Sequence, residues 1–195
     1  MWFSERQIIP NLQKLRSSLG DNSAFFVSVP NNDFEYALIS GTTEFAIVCH
    51  PPVNPEIEHR QIAQEKWIII APASWQKALQ RKDAKYFEVL KQKPFIRHAE
   101  LNEDLFLPNI EINDSGITID SLIGIRSAVC AGLGWSLVPK FLVTQEIQDS
   151  KLIEVPHEVP VHDRKVCVWW LRNRNESKKK SSKICAWIKE ICSVD

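Results

Sequence analysis

The chain has 195 residues, with 24 Lys+Arg against 24 Asp+Glu and 44% hydrophobic residues. At about 150 residues per domain this is one domain, or two lobes, long enough to bury a core without disulfides or metal. Apolar runs such as Trp67 to Ala71 are far short of the roughly 20 residues of a membrane span, and Met1-Trp2-Phe3-Ser4-Glu5-Arg6 lacks the apolar stretch and cleavage site of a secretory leader, so the expectation is a cytoplasmic protein that is neither membrane-embedded, disordered nor a highly basic nucleic-acid scaffold.

Ile8, Ile9, Leu12, Leu15 and Leu19 recur at helical steps, and Ser4-Glu5-Arg6-Gln7 has capping-box spacing before them. Pro10 lies too deep for that cap, so the helix kinks there or starts there. Gly20-Asp21-Asn22 ends it, and residues 24–29 form a β-branched and aromatic strand. Asn31-Asn32-Asp33 caps a helix that turns Phe34, Ala37 and Leu38 inward and closes at Gly41. Residues 44–49 make the next strand, and 50–55, with three of the eleven prolines, make a connector. Strands follow over 57–64 and 66–71, the second apolar throughout, as befits a strand buried on both faces. Residues 74–93 are polar and basic with a helical tendency, 94–96 a short strand and 108–112 another.

Asp120-Ser121 then offers a cap, Leu122, Ile125 and Val129 follow at helical spacing, and Gly132 stands as a C′ glycine. A strand over 134–138, a helix beginning at Pro139 and strands over 151–155 and 165–171 come next. Ser181 or Ser182 caps a last helix with Ile184, Trp187, Ile188 and Ile191 as its apolar stripe. Alternation of this kind predicts an α/β fold built from parallel crossovers.

Zero net charge hides an asymmetry. Residues 164–195 hold nine Lys/Arg against three Asp/Glu, a net of +6, leaving −6 on the rest. Lys178-Lys179-Lys180 with Lys183 dominates the excess. It is either a phosphate contact or a solvated turn ahead of the last helix.

Catalytic signatures are missing: no G-x-G-x-x-G, P-loop, G-x-S-x-G or H-E-x-x-H occurs. Gly132-Leu133-Gly134 follows a helix and precedes a strand, the reverse of a dinucleotide fingerprint. The five histidines are not spaced as metal ligands, so no catalytic residue, metal or cofactor is expected and an enzyme is disfavoured. The five cysteines contain no C-x-x-C pair and read as buried reduced thiols; Cys185 near Lys183 is the one redox candidate.

The run DSLIGIRSAVCAGLGWSLVPKFLVTQEIQDSKLIEV, residues 120–155, resembles the most recognisable stretch of LysR-type transcriptional regulators, with Val129, Ala131, Gly132, Gly134 and Pro139 in the family's helix–V-x-A-G-x-G–strand positions. Ile8-Ile9-Pro10 with Leu12 and Leu15, Gly41 to Val48, Glu65 to Pro72 and Pro94-Phe95-Ile96 are similar to further family segments in the right order. The likeness spans about residues 8–191. The family's winged helix-turn-helix, its linker helix and the strand before its first helix are missing, Glu44 stands where Asp is usual, and the chain is short between Ile96 and Pro108.

The resemblance implies a two-lobed α/β effector-binding domain of the type-2 periplasmic-binding-protein-like fold, with mixed sheets, flanking helices and the first strand missing. Lobe 1 comprises 1–71 and 163–195, and lobe 2 comprises 72–162. A small-molecule effector, anionic if Arg97 contacts it, fills a cleft lined by Ser4, His50, Arg97, His98, Thr118, Asp120, Ser121 and Gly134. Thr118, Asp120 and Ser121 stand at the start of the helix, where Asp120 as cap would compete with an anion. The implied role is effector sensing and oligomerisation, as a homodimer or homotetramer, with DNA reached only through a helix-turn-helix part outside this chain and no membrane partner. The alternatives are a free-standing solute-binding protein of the same fold and a truncated, non-functional regulator remnant.

Overall fold

Two stretches of nearly unbroken hydrophobicity become the central strands of two separate units. The structure, a computed structural model, describes residues 8–19, 33–79, 86–99, 112–156, 161 and 163–192. It divides into Met1–Glu65 with Arg164–Asp195, and Lys66–Asp163. Ser4, the Gly20-Asp21-Asn22 stop, the strand expected over 24–29 and residues 108–111 lie outside the described residues.

In the first unit, β8 (Arg164–Leu171) lies between β1 (Ala46–Val48) and β2 (Ile57–Glu65), antiparallel to both. Successive side chains of a strand point to opposite faces, and β8 is apolar on each. Val166, Val168 and Trp170 meet α1 (Leu12–Leu19) and α7 (Asn175–Cys192) through Leu15, Ile184, Trp187, Ile188 and Ile191. Cys167 and Trp169 pack on the other face against Leu38 of α2 (Phe34–Ile39). Pro10 falls within a 3₁₀ turn, Ile9–Asn11, ahead of α1, where its missing N–H costs nothing. The Asp33 carboxylate caps α2 by accepting from the Tyr36 amide at 2.9 Å.

In the second unit, β3 (Trp67–Pro72), buried at all six positions, runs between β6 (Ser136–Pro139) and β7 (Leu152–Glu154), again antiparallel. The boundary expected at 71/72 therefore moves: pairing with β6 and β7 places β3 in this unit. β4 (Phe95–His98) and β5 (Asp114–Ile119) form a parallel pair. A parallel bridge between Phe95 and Trp135 joins that pair to the start of β6. α3 (Gln76–Leu79), α4 (Tyr86–Leu90), α5 (Leu122–Cys130) and α6 (Thr144–Gln148) complete the unit. Leu122, Ile125 and Val129 give α5 its buried stripe, and Gly132 takes the left-handed conformation, φ +84°, that ends it.

Ahead of α5 lies a strand that was not expected, Asp114–Ile119: β4 supplies its hydrogen bonds, and Gly116, at φ +70°, absorbs the register shift between Phe95 and Ile96. Two expectations are corrected. The last helix starts at Asn175, six residues before Ser181; the Ser181 hydroxyl donates to the Lys178 carbonyl (2.8 Å) inside the helix, so the lysine run is helical. Crossovers are not uniformly parallel: among the described strands the parallel pairing is confined to β4 with β5 and the Phe95–Trp135 bridge.

Candidate functional site

Five of the eight candidate residues gather where β4 and β5 end. In an open α/β sheet the carboxyl ends of parallel strands, followed by helix N-termini, are where backbone donors converge on a ligand. Arg97 and Thr118 are register partners, as are His98 and Ile119, and the Ala99 amide donates to the Ile119 carbonyl at 3.0 Å. Partners share a face. A Cβ on Gly124 would stand 2.8 Å from Ile119 Cγ2, which marks the His98–Ile119 face as the one carrying α5. Arg97 and Thr118 take the other, where the Arg97 guanidinium lies 5.9 Å from the Phe95 ring centroid. That stacking holds the cation at the strand terminus.

Thr118 is thus a strand residue, not the start of the helix. Nor does Asp120 cap α5. The cap is Ser121, φ −122° and ψ 125°, whose hydroxyl accepts from the Gly124 amide at 3.4 Å. Asp120 is exposed between strand and cap, so the objection that a capping carboxylate excludes an anion falls away. A cation, two hydroxyls and the opening amides of α5 suit a small polar ligand bearing a carboxylate.

The other candidates sit elsewhere. Gly134 is buried; a Cβ there would come within 2.5 Å of the Pro94 carbonyl oxygen, so the position serves the close approach of Trp135 to β4. His50 belongs to the first unit, exposed after β1, its ring edge-on to Trp169 at 5.0 Å and its carbonyl accepting from Trp169 Nε1 at 3.0 Å. Gly116 was missed. A glycine inside a polar strand pattern is the signal of a bulge, and this one sets the register that pairs Arg97 with Thr118.

None of the four described cysteines is activated. Cys167 and Cys185 are buried, Cys49 half-buried and Cys130 exposed. Desolvation is the largest cause pushing each above the ordinary thiol pKa; for Cys185 it outweighs the opposing charges of Arg60 and Lys189. Cys185 therefore lacks the exposure a redox sensor needs. Replacing Cys130 with serine should remove one fast-reacting equivalent when the native chain meets a thiol-specific disulfide reagent. Cys167→Ser or Cys185→Ser should leave the fast phase unchanged.

The family model described as LysR substrate binding domain matches residues 3–190. Among solved structures the chain is similar to the regulatory domain of MetR, a LysR family regulator from N. meningitidis, in a mutant form, with 18% identity over 98% of this chain and 91% of that one and a TM-score of 0.76. It is also similar to the regulatory domain of a variant of AphB from Vibrio vulnificus, 15% identical over 95% and 94% with a TM-score of 0.71. The regulatory domain of CrgA, a LysR-type transcriptional regulator from Neisseria meningitidis, is 16% identical over 97% and 94% with a TM-score of 0.70. At these identities the likeness is one of fold. No curated protein matches the sequence. Among the described residues, no helix is long and apolar enough to cross a membrane. With the match running over nearly its whole length, the chain belongs to the LysR substrate-binding domain family, an effector-binding class of transcription regulators and not an enzyme class.

Proposed function

We propose that this chain senses a small carboxylate-bearing effector at the ends of β4 and β5, and that occupancy controls the DNA binding of a helix-turn-helix part outside these 195 residues. The observation that supports this reading most is the register pairing of Arg97 with Thr118, whose strand β5 leads directly into the Ser121-capped start of α5. Arg97 supplies the charge-assisted contact, with Thr118, Ser121 and the first amides of α5 as hydrogen-bonding groups. His98 stands at the end of β4 on the α5 face as a further polar contact. The effector works by differential affinity, favouring one of two conformations of a cytoplasmic homo-oligomer, a dimer or tetramer.

The test is thermal unfolding of the full chain against amino acids, aromatic acids and keto acids, since a ligand that binds only the native state raises its midpoint. An active ligand should lose about 10- to 150-fold in affinity in Arg97→Ala, the range for one hydrogen bond to a charged group. Undiminished affinity in that variant would remove Arg97 from the site. A folded preparation whose midpoint no such acid moves would favour the remnant reading instead.

A further inference from the structure

The lysine run that the effector reading leaves unused lies on the outer face of α7. The inner face is fixed by Ser177, Ser181, Ile184, Cys185, Trp187, Ile188 and Ile191, all buried. Lys178, Lys179, Lys183 and Lys189 consequently project outward beside Ser182, Ala186 and Glu190, all exposed. Lys180, nearer the sheet, is neutralised by Glu44 at 3.1 Å, and Glu44 also accepts from the Ser177 hydroxyl at 3.2 Å. Among the described residues Lys178, Lys179 and Lys183 have no such acid. Arg60 of β2 adds to this field: it is exposed, and its register partner Val168 packs in one core cluster with Ile184, Cys185 and Ile188 of α7, so Arg60 lies on the sheet face that carries the helix.

Among the described residues this face sets four lysines against one carboxylate, Glu190, and the excess of like charge is unfavourable. Lys179 and Lys183 repel one another across one turn, and Lys178 and Lys179 follow closely behind the positive end of the helix dipole. A counter-anion would relieve both. We propose that the outer face of α7, with Arg60 of β2, binds the phosphodiester backbone of duplex nucleic acid without reading its sequence. An acidic protein is the poorer fit, because protein interfaces are anchored by aromatic and apolar residues, and this face offers Ala186 alone. A membrane surface is poorer still, since the apolar side of the helix is buried against β8 and β2. Backbone contacts need cations and hydroxyls, and those are present.

Fluorescence anisotropy of a labelled duplex DNA with the full chain tests this. Three to five contacts predict a slope of log K on log salt of about −2.7 to −4.5, or roughly 40- to 500-fold weaker binding between about 50 mM and 200 mM salt. A scrambled duplex should bind equally. Lys179→Gln/Lys183→Gln should reduce the slope by about 1.8, whereas Lys66→Gln/Lys77→Gln, with the same charge loss on the second unit, should leave it unchanged. A melting temperature that does not fall in the α7 variant keeps the comparison free of unfolding. Absence of binding at about 50 mM salt, or equal losses in the two double variants, would overturn the proposal. Equal affinity for poly-glutamate would reassign the face to an acidic protein.

Discussion

Trp135→Ala is expected to lower the stability of the second unit by about 3–5 kcal/mol, the range for truncating a buried aromatic. The side chain is fully buried, and its Nε1 donates to the carbonyls of Leu90 (3.1 Å) and Lys93 (3.2 Å). Its ring packs on Phe95 at 4.7 Å between centroids. The backbone of the same residue carries the bridge, accepting from the Ile96 amide and donating to the Pro94 carbonyl, both at 2.9 Å. Ser136 adds a hydroxyl bond to the Ile96 carbonyl at 2.7 Å. Losing the indole therefore loosens β4 as a whole, and the end that carries Arg97 with it. Trp135→Phe keeps a ring but deprives two carbonyls of their donor, for a smaller cost of about 1–3 kcal/mol. Urea unfolding followed by circular dichroism measures both; a Trp135→Ala chain within about 0.5 kcal/mol of the parent, the scatter of ordinary surface changes, would show that the bridge does not hold β4.

The two glycines of Gly132-Leu133-Gly134 should answer differently to alanine. Gly132 has φ +84° and open space where a Cβ would go, so Gly132→Ala costs the left-handed backbone penalty of about 1–2 kcal/mol. At Gly134 the obstacle is space: the new Cβ would meet the Pro94 oxygen at 2.5 Å and Ile96 Cγ1 at 3.0 Å. Backbone atoms cannot rotate away, so the Phe95–Trp135 bridge must open. Gly134→Ala is expected to cost about 3 kcal/mol or more, at the upper end for overpacked sites. Gly132→Asn separates the two causes, because asparagine tolerates the left-handed region and should restore part of the Gly132→Ala loss. The same urea titrations read it. If both alanine variants lose equally, the strand junction is not sterically closed.

Legibility followed local determination. β3 could be read from Trp67 to Ala71 because burial on both faces imposes a continuous apolar run. α5 could be read from its spacing, its serine and its glycine, all within a dozen residues. The start of α7 could not. Asn175 to Lys180 is held in part by a contact distant in sequence, since Glu44, more than a hundred residues away, accepts from Ser177 and Lys180; locally the segment is dominated by lysines. β5 fails for a related reason: Asp114, Ser115 and Gly116 carry poor strand propensity, and their conformation comes from β4. The candidate site inherits that error, since Thr118 was placed on a helix when its neighbour across the strands is Arg97. The strand ends were visible as a region, and the register within them was not.

β8 has a consequence for biosynthesis. β1 and β2 do not pair with each other; each pairs with β8, which is made a hundred residues after β2 begins. Residues 66–163 are contiguous and emerge complete, so the second unit can assemble on the ribosome while the first still waits for its middle strand. Until then β1 and β2 lack the strand that joins them among the described strands, and a strand edge left open invites chaperones or mispairing. A strand translated after the whole second unit is thus the keystone of the first.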